Sequence, residues 1–164
     1  MSDKAASLAE LGLTAKAGRE ARITGLAVDS RAVQPGFLFA ALPGVKVHGA
    51  TFAAQVIEAG AVAILTDAAG AALMGDLAER VALVVAEEPR AALSMAAALW
   101  FGRQPATMVA VTGTNGKTSV ATFTRQIWMG LGHAAINIGT TGVEGAWAAP
   151  SAHTTPDPTT LHRM

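Results

Sequence analysis

Residues Val109–Ser119 read Val-Ala-Val-Thr-Gly-Thr-Asn-Gly-Lys-Thr-Ser, and the rest of the chain is organised around them. The apolar run Met108–Val111 is typical of a buried parallel strand, and it leads directly into a glycine-rich turn. Gly113 and Gly116 let backbone amides approach an anion without a Cβ in the way, and a helical pattern follows them. A strand, a glycine loop and a helix in this order predict a loop that binds the phosphates of a nucleotide.

This loop supplies both a charge and a candidate metal ligand. We predict that the site consists of Gly113, Thr114, Asn115, Gly116, Lys117, Thr118 and Ser119. Lys117 brings a full positive charge to the terminal phosphates and is the predicted catalytic residue, while the Thr118 hydroxyl is the predicted ligand of Mg²⁺. The usual pattern has its first glycine at the position of Val111, so the loop is a shortened variant. A bare Gly-Lys-Thr is often a structural turn, and its strand and helix context favours the nucleotide site.

Composition limits the classes of protein to consider. The chain has 164 residues, of which 51% are hydrophobic and 15% charged, so we expect a packed core rather than disorder. Basic and acidic residues balance at 12 each, which gives no general affinity for nucleic acid or for an anionic membrane. The absence of cysteine excludes disulfides and thiolate metal sites, and it fits a reducing cytoplasm. No apolar run is long enough to span a bilayer, so we expect a soluble, cytoplasmic protein.

Strands and helices alternate before the glycine loop, which is typical of an α/β fold. We predict strands over Ile23–Val28, Phe37–Ala41, Val62–Leu65 and Val81–Val85. We predict helices over Ala5–Leu11, Thr51–Ala59 and Ala71–Glu79, and a longer helix that begins at Pro89 and closes at Gly102. Between the first two strands, Pro35-Gly36 is the signature of a type II turn.

A short polar segment, Arg103-Gln104-Pro105, divides the chain. We predict a first domain over residues 1–103 and a second over residues 104–164. In the second domain, the helix after the glycine loop leads to a strand over Ala134–Ile138, which completes one βαβ unit. That helix carries a single apolar stripe, formed by Val120, Phe123, Ile127 and Leu131. One βαβ unit cannot cover its own sheet, so we expect the chain to be the front end of a longer protein.

The segment Thr112–Thr118 resembles the ATP-binding loop of the Mur ligases and of their folylpolyglutamate synthetase relatives. These enzymes use ATP to join an amino acid to a carboxylate. The resemblance implies a small N-terminal α/β domain, followed by the beginning of a P-loop-type ATP-binding domain with a parallel sheet.

A second resemblance lies in the first domain. Val28-Asp29-Ser30-Arg31, followed by Pro35–Ala41, is similar to the domain of the third and fourth Mur ligases that holds the UDP end of the substrate. This implies that the Val28 backbone and the Ser30 hydroxyl contact the nucleotide and that the Val45–Val47 loop lies near it. The chain departs from the family at His48-Gly49, where the family usually has Asp-Gly. Without the family, Asp-Ser-Arg is an ordinary turn with a side-chain hydrogen bond.

A third resemblance follows the predicted βαβ unit. The string His153-Thr154-Thr155-Pro156-Asp157-Pro158-Thr159 resembles the substrate loop of the third Mur ligases. There the paired threonines contact the muramoyl peptide, which implies that Thr154 and Thr155 bind substrate. The prolines reduce the entropy that such a loop loses on binding. The string is also typical of a helix start, with Asp157 as N-cap and Pro158 as the first helical residue, and we expect it to serve in both ways.

Together the resemblances imply an ATP-dependent amide ligase of peptidoglycan synthesis. In the family reaction, the terminal carboxylate of UDP-N-acetylmuramoyl-L-alanyl-D-glutamate takes the γ-phosphate, and a diamino acid, meso-diaminopimelate or L-lysine, then displaces phosphate from the acyl phosphate. ATP and Mg²⁺ are the implied cofactors. The UDP-muramoyl dipeptide and the diamino acid are the implied partners, and we expect a monomer. The family's amino-acid-binding domain would follow Met164, so we expect the 164-residue chain alone to have no ligase activity.

Three alternatives stay open at this point. The fourth Mur ligase would act on the tripeptide, and Thr154-Thr155-Pro156 speaks against it. Another phosphate-transfer enzyme, such as a kinase or GTPase, would need no first domain of this kind, and the chain lacks a guanine-reading string. A non-catalytic UDP-sugar-binding module would bind the UDP substrate without turning over ATP.

Overall fold

The computed structural model describes residues 4–16, 19–149 and 156–164. The chain divides into two units, of which the first comprises Met1–Gln104 and Pro158–Met164 and the second comprises Pro105–Asp157. The last residues of the chain therefore return to the first unit. No helix in the described ranges is long and apolar enough to cross a membrane.

Two sheets belong to the first unit. A short antiparallel pair is formed by β1 (Ala6–Ser7) and β2 (Arg22–Ile23). A parallel sheet is formed, in sequence order, by β3 (Gly25–Ala27), β4 (Phe37–Ala40), β5 (Ala63–Thr66) and β6 (Ala82–Val85). Nearly every residue of this sheet is buried, as expected for parallel strands that are covered on both faces.

Helices follow the last three strands of the parallel sheet. They are α1 (Ala53–Glu58) after β4, α2 (Ala68–Met74) after β5 and α3 (Pro89–Phe101) after β6. A 3₁₀ turn, Gly49–Phe52, leads into α1, and another, Gly75–Arg80, follows α2. The parallel sheet and its helices confirm the predicted α/β class.

The core lies on both faces of the parallel sheet, because successive residues of a strand point to opposite sides. On one face, Phe39 pairs in register with Ile64, and both pack with Val56 of α1. On the other face, Leu38 of β4 packs with Leu93 of α3 and with the N-terminal segment. All five of these side chains are at most 1% exposed, so they form the centre of the folded unit.

Local predictions in this unit are confirmed at two places. The backbone N–H of Phe37 donates to the carbonyl of Gln34 at 3.1 Å, and Gly36 has a φ of 86°, as a type II turn requires. The long helix ends at Gly102, whose φ of 70° forms the left-handed cap. The helix predicted over Ala5–Leu11 is wrong, because β1 pairs with β2 there and only a 3₁₀ turn follows.

In the described residues of the second unit, the regular elements are one helix and one hairpin. They are α4 (Lys117–Gly130), β7 (Ile136–Gly139) and β8 (Gly142–Gly145), and the two strands pair antiparallel. Arg125 joins the helix to the hairpin, since its Nε donates to Asn137 Oδ1 at 2.6 Å and its guanidinium lies 3.5 Å from Glu144 Oε2. Glu144, to which the sequence assigns no role, is therefore part of a structural ion pair.

The predicted βαβ unit is not formed. Met108–Val111 is not a strand, and Met108 is 72% exposed. The stripe on α4 is also uncovered, with Phe123 59% and Ile127 62% exposed. A buried parallel strand needs partner strands and a covered face. Among the described residues of the second unit the only sheet is the β7–β8 hairpin, which supplies neither.

The final helix, α5 (Pro158–Arg163), belongs to the first unit. It begins at the predicted residue, Pro158, and packs against α3. Gln104 Nε2 lies 3.0 Å from His162 Nδ1, and Thr159 is buried. The end of α3 is thus covered by residues from a distant part of the sequence.

Candidate functional site

A polar residue follows each strand of the parallel sheet at its carboxyl edge. Ser30 follows β3, His48 follows β4, Asp67 follows β5 and Arg90 follows β6. Since parallel strands all end at the same edge, these four residues come from the four segments that follow the strands on one side of the sheet, and Arg90 is in the first turn of α3. Ligands of open α/β sheets bind outside this edge, so it is the first place to look for a site.

A cavity of about 640 Å³ lies at this edge. Its volume falls in the range of roughly 300–1,000 Å³ that is usual for small-molecule sites. Its lining combines apolar surface with a few polar groups, supplied by Val28, Asp29, Ser30, Arg31, Phe39, Ala40, Leu42, Pro43, Gly44, Gly49, Phe52, Gln55 and Arg90. The two predicted substrate-binding residues of the first domain, Val28 and Ser30, both line it.

The turn that carries Ser30 is held by its neighbours. Asp29 is the N-cap of the 3₁₀ turn Ser30–Ala32, and its Oδ1 accepts the backbone N–H of Arg31 at 2.9 Å. The Arg31 guanidinium binds the same carboxylate with two nitrogens, Nε at 2.9 Å and the terminal nitrogen at 2.6 Å. These hydrogen bonds from the Arg31 side chain and backbone lower the pKa of Asp29 to about 2. Asp-Ser-Arg is therefore a fixed turn that presents Ser30 at the cavity wall.

His48 is the N-cap of the turn that follows the next loop. His48 Nδ1 accepts the backbone N–H of Ala50 at 3.0 Å, which caps the turn Gly49–Phe52. His48 Nε2 lies 3.1 Å from Asp67 Oδ1, and the same oxygen accepts the Gly70 N–H at 2.7 Å as the N-cap of α2. Because Nδ1 accepts, Nε2 carries the proton and donates to Asp67. His48 thus ties the loop beneath the cavity to α2.

In the second unit, the predicted phosphate loop is exposed and ends where α4 begins. Gly116 is the N-cap with a φ of 76°, and Gly113 has a φ of 144°, a conformation that L side chains rarely adopt. Lys117 Nζ donates to the carbonyls of Gly113 at 2.5 Å and Thr114 at 3.2 Å. Thr118 and Ser119 follow Lys117 in the first turn of α4 and are exposed.

The remaining predicted substrate residues, Thr154 and Thr155, lie outside the described residues. The segments that follow β5 and β6 contribute residues that the sequence did not single out, Asp67 and Arg90. The signal that could have found them is their position, since each follows a predicted buried strand of a parallel sheet. Phe52 and Gln55 come from the 3₁₀ turn and α1 and carry no such signal.

Comparison with known proteins identifies a family for both units. The Mur ligase family, catalytic domain, matches residues 22–100, and the Mur ligase middle domain matches residues 111–164. The UDP-N-acetylmuramoyl-L-alanyl-D-glutamate–2,6-diaminopimelate ligase of Brucella melitensis biotype 1 is 53% identical over 88% of this chain and 29% of its own length. The protein of the same name from Chelativorans sp. is 50% identical over 94% of this chain and 31% of its own length.

A solved structure of a protein with that name shares the fold, with a TM-score of 0.76 and 24% identity, over 98% of this chain and 32% of the other. The chain thus spans about a third or less of the length of the relatives that it matches. Two consecutive domains of one family match it in order, and about half of the residues aligned with the Brucella relative are identical. The chain belongs to the Mur ligase family.

Proposed function

We propose that this chain is the UDP-substrate-binding and nucleotide-binding portion of a third Mur ligase, which adds a diamino acid to UDP-N-acetylmuramoyl-L-alanyl-D-glutamate in peptidoglycan synthesis. The observation that carries the proposal is the 53% identity, over 88% of this chain, to a relative named as the 2,6-diaminopimelate ligase. The name of this relative, and no residue of this chain, makes diaminopimelate rather than L-lysine the proposed diamino acid. The reaction consumes ATP and proceeds through an acyl phosphate.

The larger cavity supports the proposal for the UDP end of the substrate. Val28 and Ser30 enter it from one loop, and Gly44 and Gly49 enter it from the loop that contains Val45–Val47. A Cβ on Gly49 would lie 2.9 Å from the backbone of Ala41, so this loop approaches β4 as closely as a glycine allows. We propose that uridine occupies this cavity, with the Val28 backbone and the Ser30 hydroxyl as hydrogen-bond partners.

The glycine loop has the donor set that a nucleotide with Mg²⁺ needs. Gly113 and Gly116 adopt positive φ angles, and the Lys117 ammonium and the Thr118 hydroxyl are both exposed beside them. We propose that the backbone from Gly113 to Ser119 and the Lys117 ammonium hold the ATP phosphates, and that Thr118 is a ligand of Mg²⁺. The metal supplies charge neutralisation on the phosphates. Lys117 stabilises the charge that spreads over the oxygens of the transferred phosphoryl group.

The proposal also covers the location of the enzyme, its oligomeric state and its remaining partners. We propose a cytoplasmic monomer, since UDP-linked precursors are small soluble substrates and the absence of cysteine fits a reducing compartment. Thr154 and Thr155 are proposed to contact the muramoyl peptide. No role is proposed for nucleic acid, because the charges balance.

Binding of two ligands to the 164-residue chain tests the proposal. Calorimetry with UDP-N-acetylmuramoyl-L-alanyl-D-glutamate is expected to give saturable binding that Ser30→Ala weakens and Lys117→Met leaves unchanged. Competition with ATP and GTP for a fluorescent ATP analogue is expected to favour ATP, and here Lys117→Met should weaken binding by about tenfold or more. The two variants are controls for each other, because each alters one unit.

Three outcomes would contradict the proposal. Preference for the UDP-muramoyl tripeptide would indicate the fourth Mur ligase. Tighter binding of GTP, or no binding of any UDP compound, would point to a different phosphate-transfer enzyme. Binding of the UDP substrate with no binding of ATP would leave a UDP-sugar-binding module.

A further inference from the structure

The larger cavity has an excess positive charge. Among its lining residues the charged side chains are Asp29, Arg31 and Arg90. Asp29 and Arg31 bind each other through two nitrogens, and the pKa of Asp29 falls to about 2, so this pair is fully ionised and its charges cancel near neutral pH. The charge that remains at the cavity wall is that of Arg90.

Unlike Arg31, Arg90 has its hydrogen-bond donors available. The Arg31 guanidinium donates to Asp29 from Nε and from one terminal nitrogen. In the described ranges of the chain, the carboxylates within ion-pair distance of an arginine are Asp29 and Glu144, and neither is bound to Arg90. Arg90 is exposed, so its guanidinium can turn towards a ligand without breaking an existing ion pair.

Arg90 also lies where two cavities adjoin. A second cavity of about 310 Å³ shares Pro43 and Arg90 with the larger one, and its other lining residues include Asp67, Glu87 and Glu88. These carboxylates would repel an anion, so the second cavity does not suit phosphate. An anionic group is therefore best placed on the side of Arg90 that faces the larger cavity, away from the acidic residues.

A planar guanidinium can donate two parallel hydrogen bonds to two oxygens of one phosphate group. The larger cavity, with Phe39, Leu42 and Phe52 in its wall, offers apolar contact to a flat base, while Ser30 offers a hydroxyl. A ligand that suits the whole cavity therefore carries a base or another flat group at one end and an anion at the other. This composition is that of a nucleotide rather than a nucleoside.

We propose that Arg90 binds the diphosphate of the UDP-linked substrate and gives the cavity its preference for a nucleotide over the nucleoside. The assignment rests on the proposed function, because it takes the base in the larger cavity to be uridine. Arg31 acts differently, since it positions Ser30 through Asp29. Arg90 is a substrate-binding residue at the boundary of the cavity and takes no part in the chemistry at the carboxylate.

Calorimetric titration of the 164-residue chain with uridine, UMP and UDP tests the assignment. The wild-type chain is expected to bind UDP more tightly than uridine. Arg90→Gln is expected to weaken UDP binding by about tenfold while leaving uridine binding unchanged. Arg90→Lys keeps the charge and loses the planar donor pair. Its affinity for UDP is expected to lie between that of the wild-type chain and that of Arg90→Gln. Arg80→Gln is the matched control, because Arg80 is an exposed arginine of the same unit that lines neither cavity.

The outcomes separate this assignment from the proposed function. If the wild-type chain binds neither uridine nor UDP, the proposed function fails and the Arg90 assignment falls with it. If the wild-type chain prefers UDP and Arg90→Gln keeps that preference, the assignment alone is wrong. An equal loss of uridine and UDP affinity in Arg90→Gln would also overturn it, because a diphosphate contact cannot affect the nucleoside. Raising the salt concentration should reduce the UDP preference of the wild-type chain and not that of Arg90→Gln.

Discussion

At the scale of single residues, Gly70 shows how closely the loops of the site are packed. A Cβ at this position would lie 2.0 Å from Thr66 Oγ1 and 2.5 Å from His48 Cε1. Gly70→Ala is therefore expected to destabilise the chain by about 1–3 kcal/mol through overpacking. Gly130→Ala is the control, since Gly130 ends α4 with no atom within 4 Å of its added Cβ. The urea denaturation midpoint is measured for wild type and for both variants. A Gly70→Ala midpoint equal to that of wild type would show that the loops can shift to accept the methyl group.

His48 shows what the sequence could and could not predict at this scale. Its departure from the family's Asp-Gly is visible in the sequence, whereas its function is not. The imidazole has two nitrogens, and here one accepts from Ala50 while the other donates to Asp67. The first bond follows from a local turn, but the second joins loops after different strands, and no local pattern contains that information.

At the scale of elements, the cap of α2 makes stability depend on pH. The hydrogen bond from the Gly70 backbone lowers the pKa of Asp67, and the neighbouring His48 adds to this. A lowered folded-state pKa means that the contribution of Asp67 is complete above its ordinary pKa of 3.8 and is lost as the pH falls through the folded value. Asp67→Asn keeps a capping oxygen and does not titrate, so the stability difference between wild type and variant is expected to shrink as the pH falls from 5 to about 2.5.

Urea midpoints at several pH values between 6 and 2.5 measure this effect. Asp29 titrates in both proteins, so its contribution cancels in the comparison. Asp76→Asn serves as the control, because in the described parts of the chain no hydrogen bond to the Asp76 side chain is found. If the difference in urea midpoint between wild type and Asp67→Asn stays constant with pH, the ionised Asp67 carboxylate is not stabilised by the cap.

The strands of the parallel sheet and α3 were predictable because each buries its apolar face within the first unit. Strands β3 to β6 have partners on the sheet, and Pro89 and Gly102 mark the ends of α3 by local geometry. Met108–Val111 has the same apolar character and is not a strand. The sequence of Met108–Val111 specifies a preference for burial. Strand formation also requires neighbouring strands, and the described residues of the second unit do not supply them.

At the scale of the whole molecule, apolar side chains are distributed very differently in the two units. Leu93 is fully buried in the first unit, whereas Phe123 and Ile127 on α4 are mostly exposed. Leu93→Ala is expected to lower the free energy of unfolding by about 2–5 kcal/mol. The double variant Phe123→Gln and Ile127→Gln is expected to leave the urea midpoint unchanged, since glutamine is a good helix former, and to reduce self-association at high concentration. A clear loss of stability in the double variant would mean that the α4 stripe is covered in solution.

The residues of the candidate site also differ between the two units in how far the sequence predicts them. Val28 and Ser30, which line the cavity of the first unit, could be named from the sequence because Val28-Asp29-Ser30-Arg31 resembles the UDP-binding domain of the Mur ligases. The position of Arg90 after a predicted strand marks it as a candidate, but that it lines the same cavity as Ser30 depends on the order of the strands in the sheet. The glycine loop before α4 is a contiguous segment, and for that reason its residues could all be named without knowledge of the tertiary structure.

The return of α5 to the first unit has a consequence for biosynthesis. A ribosome makes α3 well before α5, and all of Pro105–Asp157 is translated in between. During that interval the surface of α3 that α5 covers is bare, although every strand of the parallel sheet has already been translated. The first unit can therefore assemble its sheet early but can close only after the second unit has been synthesised. Nascent chains that stall within the glycine loop or α4 would present this bare helix surface to chaperones and proteases.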